Sequence, residues 1–225
     1  MKLVHVDLDT KLLDDNVITE WIIESPEEFT RYVQEFYLQC EGEEGGFTLS
    51  EGEKELNIAK NVEFMDRVLA LDINERKILG KLYTDLQQLA YSEKFIVRTQ
   101  EMIQYLRTYL LELEQETDFI LDIDADVDMS AIFKGNGIKL ESLDDGLLEN
   151  IVRYIKVVRL LLKKTVFVFV NLRSYLTDGQ LDQLIREAAY QEVQILLVEN
   201  VMRDCVNGGK RCIIDSDKCE IFPFS

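Results

Sequence analysis

The chain has 225 residues, 47% of them apolar and 30% charged, and a formal net charge of −18; this supports one good core with a smaller appendage and argues against disorder. The apolar runs near Leu160 to Val170 and Val193 to Val198 are too short and interrupted to span a bilayer, and MKLVHVDLD lacks a signal-peptide core, so a cytoplasmic protein with no membrane partner is expected. Cys40, Cys205, Cys212 and Cys219 lack close CxxC pairing and the only histidine, His5, is remote, which favours free thiols over a structural zinc site.

In chain order, strand-like text occupies Lys2 to Asp7 and Val17 to Glu24. SPEEF then predicts a helix running to about Cys40, with Ser25 as N-cap, Pro26 in the first turn and Glu28 closing a capping box. Phe29, Val33, Phe36 and Tyr37 would form its apolar face. EGEEGGFTLSEGEKE reads as a solvated loop or hairpin. Two longer helices follow. One starts at Asn74 as N-cap with Ile78, Leu79, Leu82, Leu86 and Leu89 at helical spacing; the other starts at Ser92 with Phe95, Ile103, Leu106, Leu110 and Leu113. Together they form a helical hairpin inserted into the chain.

After Ser142 a third long helix carries Leu148, Ile151, Val152, Ile155, Val158 and Leu162 on one side and runs into KTVFVFVN, a central strand. TDGQ offers a second capping box through Thr177 and Gln180, a helix carries Leu181, Leu184 and Ile185, and VQILLVE returns as a strand. Two continuous apolar strands around a helix make a βαβ unit, hence a parallel sheet covered on both faces with a right-handed crossover. The C-terminus reads as a hairpin of VMRDCV and RCIID joined at NGGK, where Asn207 and Gly208 take positive φ. The fold class is α/β: a discontinuous head of residues 1–60 and 121–225 with a mostly parallel sheet, interrupted by an α-helical leg of residues 61–120.

Such a head invites a nucleotide, but no GxxxxGK followed by Ser or Thr is present. DCVNGGKR has Asp204 in place of the first glycine and Arg211 in place of the hydroxyl. VFVFV ends in Asn171, where many nucleotide hydrolases place a metal-holding carboxylate. A Ser/His/Asp triad lacks both a suitable histidine and a GxSxG elbow.

Charge placement says more than the total. Glu112, Glu114, Glu116, Asp118, Asp122, Asp124, Asp126 and Asp128 follow one another with no Lys or Arg between them, whereas Asn150 to Thr177 contains no acid. There Arg153, Lys156, Arg159, Lys163 and Lys164 fall within roughly 140° of one another on a helix. This basic stripe is either a solvated face with lysines at the negative helix end or a phosphate track extended by Lys134 and Lys139 in FKGNGIKLE. LDIDADVDMS places its aspartates as positions 1, 3, 5 and 7 of a calcium loop. However, Val127 stands where that loop needs glycine and Phe133 where it needs glutamate, so an EF-hand is rejected. The alternation fits a strand edge with the acids in water and Leu121, Ile123, Ala125 and Val127 facing inward, and a carboxylate side of such a strand is free to collect hard cations at the same time.

LRSYLTDGQLDQLI after KKTVFVFVN, the preceding FKGNGIKLESLDDG, and LALDINERKILGKLYTDL earlier resemble, in order and spacing, the small CRISPR-associated Csn2 family of type II-A systems. The likeness runs from the first strand to the second βαβ strand; the NGGK hairpin and the aspartate run depart from it. It implies a non-enzymatic protein of spacer acquisition, with a head resembling a degenerate nucleotide-binding fold and a helical leg. It further implies a homotetrameric ring whose lysines face a hole for double-stranded DNA threaded from its ends, supported by calcium. Adaptation integrase proteins and the RNA-guided effector nuclease are the implied partners. By position, Lys134 and Lys139 are the DNA-facing candidates, with Arg153, Lys156, Lys163 and Lys164 behind them. For calcium the candidates are Asp122, Asp124 and Asp126, helped by Glu114 or Glu116. Two rival functions remain: a metal-dependent nuclease using Asp122 to Asp128, and an acidic scaffold that binds only proteins.

Overall fold

In the computed structural model, which describes residues 1–124, 126–142, 146–206 and 208–221, the chain divides into two compact units: Met1–Ile73 with Leu143–Ser225, and Asn74–Ser142. The first unit opens with β1 (Lys2–His5) and the fully buried β2 (Ile18–Ile23). Ser25 accepts a hydrogen bond from Glu28 N and starts α1 (Pro26–Cys40), with Pro26 in the first turn as expected. The reciprocal half of the capping box does not form, because the Glu28 carboxylate is taken by Arg31 Nη2 at 2.7 Å and Lys218 Nζ at 3.1 Å. That pairing, Arg31 first, holds the Glu28 carboxyl below the usual range.

EGEEGGFTLSEGEKE forms the hairpin of β3 (Phe47–Glu51) and β4 (Lys54–Leu56), followed by the single turn α2 (Ile58–Asn61) and β5 (Val62–Met65). In the second unit come α3 (Arg76–Ala90), α4 (Ile96–Gln115) and α5 (Met129–Gly135). The chain returns to the first unit with α6 (Leu147–Leu161), β6 (Val166–Val170), α7 (Asp178–Tyr190), β7 (Gln194–Glu199), β8 (Lys210–Ile214) and β9 (Glu220–Ile221).

A six-stranded sheet in the order β5-β6-β7-β2-β8-β9 is parallel except for the β8/β9 pair. Beside it, β1-β3-β4 is a separate antiparallel sheet, so the first predicted strand lies outside the main sheet. The βαβ reading holds: β6 and β7 pair in register from Val166↔Gln194 to Val170↔Val198, and Thr177 with Gln180 makes the capping box of α7. On one face Trp21, Ile23, Val166, Val168, Leu196 and Val198 meet Tyr32 and Phe36 of α1, and Phe36 stacks on Phe47 with ring centroids 4.3 Å apart. Each such side chain contributes about 1.5–3 kcal/mol by leaving water. Alternate residues Phe167, Phe169, Ile195 and Leu197 are also buried, on the opposite face, where α7 packs on β7 and α6 packs on α7. The α1 face differs from the expected one in that Tyr32 and Gln39 are buried and Tyr37 is exposed; Gln39 is held by both polar groups of Phe47.

Three further expectations fail for identifiable reasons. Residues 201–206 form no strand: β8 instead lies parallel to β2 and turns back on β9, so the terminal hairpin is one element later in the chain than expected. Gly208 does take positive φ, 71°, while Asn207 lies outside the described residues. Asn74 does not cap α3, because its amide is engaged with Leu140; the N-cap position falls to Glu75, which makes no capping bond. LDIDADVDMS is not a strand edge either. The described residues of the second unit contain no strand to pair with it, and Asp128 instead caps α5 by accepting from Ser130 N at 2.8 Å; Ala125 lies outside the described residues. Among the described residues no helix is long and apolar enough to cross a membrane.

Candidate nucleic-acid interface

The basic candidates divide between the two units. In the second, Lys134 stands in the last turn of α5 and Lys139 just beyond it; both are exposed and neither forms a side-chain ion pair among the described residues. The helix ends in a Schellman arrangement: Ile138 N donates to Phe133 O at 3.2 Å and Gly137 N to Lys134 O at 3.0 Å. Gly137 has φ +66°, a conformation that glycine adopts without steric cost. After it, Ile138 and Leu140 are half-buried and Lys139 between them is exposed, as alternation along an extended segment requires.

In the first unit, Lys156 is exposed on α6, while Arg153 and Arg159 are half-buried on the same helix. Lys163 and Lys164, adjacent in sequence, have different environments. Lys163 is exposed with φ +61°, the left-handed position just after the helix end. Lys164 turns inward: its ammonium lies 2.7 Å from Glu63 Oε2 and donates to Val62 O at 2.6 Å, and Tyr154 donates to Glu63 Oε1 at 2.7 Å. The Glu63 that β5 buries therefore claims one of the six basic candidates. Lys164→Ala is expected to cost about 3 kcal/mol in urea unfolding, because removing one partner of a buried ion pair leaves the other charge exposed to the full desolvation penalty. Lys163→Gly, by contrast, is expected to be neutral or to gain up to about 1 kcal/mol by relieving the left-handed backbone.

The acidic candidates remain dispersed. Asp122, Asp124, Asp126 and Glu116 are exposed, and Glu114 Oε1 accepts from Leu121 N at 2.9 Å, fastening the end of α4 to the start of the aspartate run. Among the described residues no three His, Cys, Asp or Glu side chains converge as metal ligands. The described donors of one chain, as placed, therefore do not make a calcium centre by themselves.

Doubly wound sheets take their ligands beyond the carboxyl ends of the strands. Just after β6, Arg173 opens a buried ionic network that sequence reading missed and that reaches back along the sheet to Glu20 in the middle of β2 and Arg211 near the start of β8. Arg173 donates to Glu20 Oε1 at 2.6 Å, Asp204 O at 2.7 Å and Asp178 Oδ1 at 3.0 Å, while Arg211 Nη2 donates to Glu20 Oε2 at 2.6 Å. Charged residues inside otherwise apolar strands, Glu20 in VITEWIIE and Glu63 in VEFM, were the available signal. The Glu199 carboxyl accepts from Arg173 N at 3.0 Å. Burial pushes it up to about 7, against the pull of that N–H and of the Arg173 and Arg203 guanidiniums. A carboxyl raised on folding stabilises below its unfolded value, and that contribution is lost as pH rises through the folded one. Wild-type stability is therefore expected to fall between about pH 4.5 and 7, by up to about 3 kcal/mol, and Glu199→Gln to remove that fall. A urea midpoint series over that range measures it. The four cysteines are free thiols, and burial pushes Cys40 up to about 12 and Cys212 up to about 11.

Residues 39–218 match the profile of a family described as CRISPR-associated protein (Cas_Csn2). A protein of Enterococcus faecalis named CRISPR-associated protein Csn2 is 29% identical over 136 residues, 59% of this chain and 60% of that protein, so that match spans less than two thirds of the relative's length. A protein of the same name from Streptococcus agalactiae is 27% identical over 198 residues, 85% of this chain and 86% of its own length.

Proposed function

Since the chain belongs to the CRISPR-associated Csn2 family, we propose that it is a non-enzymatic, sequence-independent double-stranded DNA-binding protein of spacer acquisition. In this reading it acts on DNA ends as a calcium-supported tetrameric ring that encircles the duplex. The observation that carries the DNA reading is the set of exposed ammonium groups of Lys134, Lys139, Lys156 and Lys163 on a chain of net charge −18. DNA repels such a chain at a distance, so attraction has to come from cations concentrated locally and from counterions released on contact. Flexible lysines recognise phosphate as point charges and carry no base code, which supports sequence-independent binding.

Assembly is supported by one face of α4, where Met102, Tyr105, Leu106, Tyr109 and Leu113 are exposed on a twenty-residue helix that buries only Thr99. Apolar side chains exposed together on one helix face are the kind of surface that interaction sites use. The dispersed carboxylates of 114–128 would serve calcium only with donors brought together by other copies of the chain.

Two measurements test this. Affinity for linear duplexes of unrelated sequence should be equal and fall steeply with salt, and sedimentation should give a tetramer with calcium that shrinks with chelator. Discrimination between sequences, or a size that ignores both calcium and chelator, argues against the proposal. The rival nuclease gains nothing from the geometry, because it needs carboxylates that converge and the described residues provide no such cluster.

A further inference from the structure

Asn74 and Leu140 are separated by 66 positions, yet the Asn74 side chain pairs with Leu140 as a peptide group would. Its Nδ2 donates to Leu140 O at 3.0 Å, and its Oδ1 accepts from Leu140 N at 2.8 Å. Tyr83 of α3 donates to Ile138 O at 2.8 Å. α5 packs on α3, and the Schellman turn closes α5 immediately before these bonds. Residues 129–140 are therefore held at successive levels: a capped helix, a left-handed glycine, one tyrosine bond and a two-bond amide clasp. Among the described residues the segment has no strand partner, so side chains from 74 and 83 satisfy backbone groups that would otherwise face water or remain unpaired.

We propose that Asn74 and Tyr83 are positioning residues for duplex DNA: they fix the backbone of residues 137–140 so that Lys134 and Lys139 meet the phosphates of one duplex together. The inference rests on the DNA-binding reading above. A loop already ordered does not have to be ordered on binding, and that saving appears in affinity. Without the clasp Lys139 moves freely, and fewer phosphates are engaged at once. Loss of one simultaneous contact makes the dependence of log K on log salt shallower by about 0.9. A purely structural role would reduce the amount of folded protein and leave that slope unchanged.

The test compares wild type, Asn74→Ala, Tyr83→Phe and the double variant Lys134→Glu/Lys139→Glu on linear duplex DNA across a salt series, with thermal unfolding of each. Tyr83→Phe keeps the ring and removes only the hydroxyl, so it remains informative if Asn74→Ala folds poorly. Expected are affinity losses of about 10-fold for Asn74→Ala and about 3-fold for Tyr83→Phe, each with a shallower slope. Wild-type affinity and slope in both, with binding abolished by the lysine double variant, overturn the positioning role and leave the DNA reading standing. A reduced affinity at unchanged slope also overturns it. Unchanged binding by the lysine double variant overturns the placement of the DNA contact and this inference with it.

Discussion

Replacing Lys134 and Lys139 together by glutamate is expected to abolish binding to linear duplex DNA, a loss of at least about 100-fold near 0.1 M salt, while leaving oligomer size unchanged. Both side chains are exposed and form no ion pair among the described residues, so their removal strands no buried partner. The double change replaces two attractions to phosphate with two repulsions on a segment whose backbone is otherwise fixed. Mobility-shift titration together with sedimentation measures it. Retained binding would place the DNA contact elsewhere, with Lys156 and Lys163 on the first unit the next positions to test.

The second large effect concerns stability. Arg173→Ala is expected to lose about 3–5 kcal/mol, read as a fall in urea midpoint, since breaking a buried ion pair leaves a charge that water cannot reach. The Arg173 side chain is 5% exposed and that of Glu20 1%. Arg211 would still face Glu20, but Asp204 O and Asp178 would lose their donor. Arg173 also sits between the end of β6 and the loop before β8, so its loss loosens β8 from β2. Asp178→Ala is the control: that carboxylate is 85% exposed, and such a pair contributes about 1 kcal/mol or less. An Arg173→Ala loss no larger than that of Asp178→Ala would show that the network does not hold the sheet.

What was legible in the sequence had local causes. VFVFV, the TDGQ capping box and VQILLVE specify β6, α7 and β7 through apolar runs and a cap that need no distant partner. β5 escaped notice because it has four residues and one is Glu63, whose burial makes sense only once Lys164, a hundred positions away, is seen to pair with it. Asn74 had the right composition for a helix cap and was taken instead by Leu140, a competition that no local pattern reveals. LDIDADVDMS alternates as a strand does, but alternation needs a neighbouring edge, and its unit is helical. At the candidate interface, Lys156 and Lys163 stood out by lying in the acid-free stretch of residues 150–177, as did the inward-facing Lys164. Which of Lys163 and Lys164 faces outward could not be read there, because that depends on a left-handed residue at the helix end.

In the proposed function this chain holds duplex DNA by its ends without cutting it. The most direct measurement incubates the protein with linear and covalently closed duplexes of identical sequence, in calcium, magnesium or chelator, and follows both retention and DNA length. Retention on the linear form alone, strongest in calcium and with the DNA intact in magnesium, is the predicted result. DNA shortened in magnesium would contradict it in favour of a nuclease, and absence of binding to either form under all three conditions would leave only a protein scaffold.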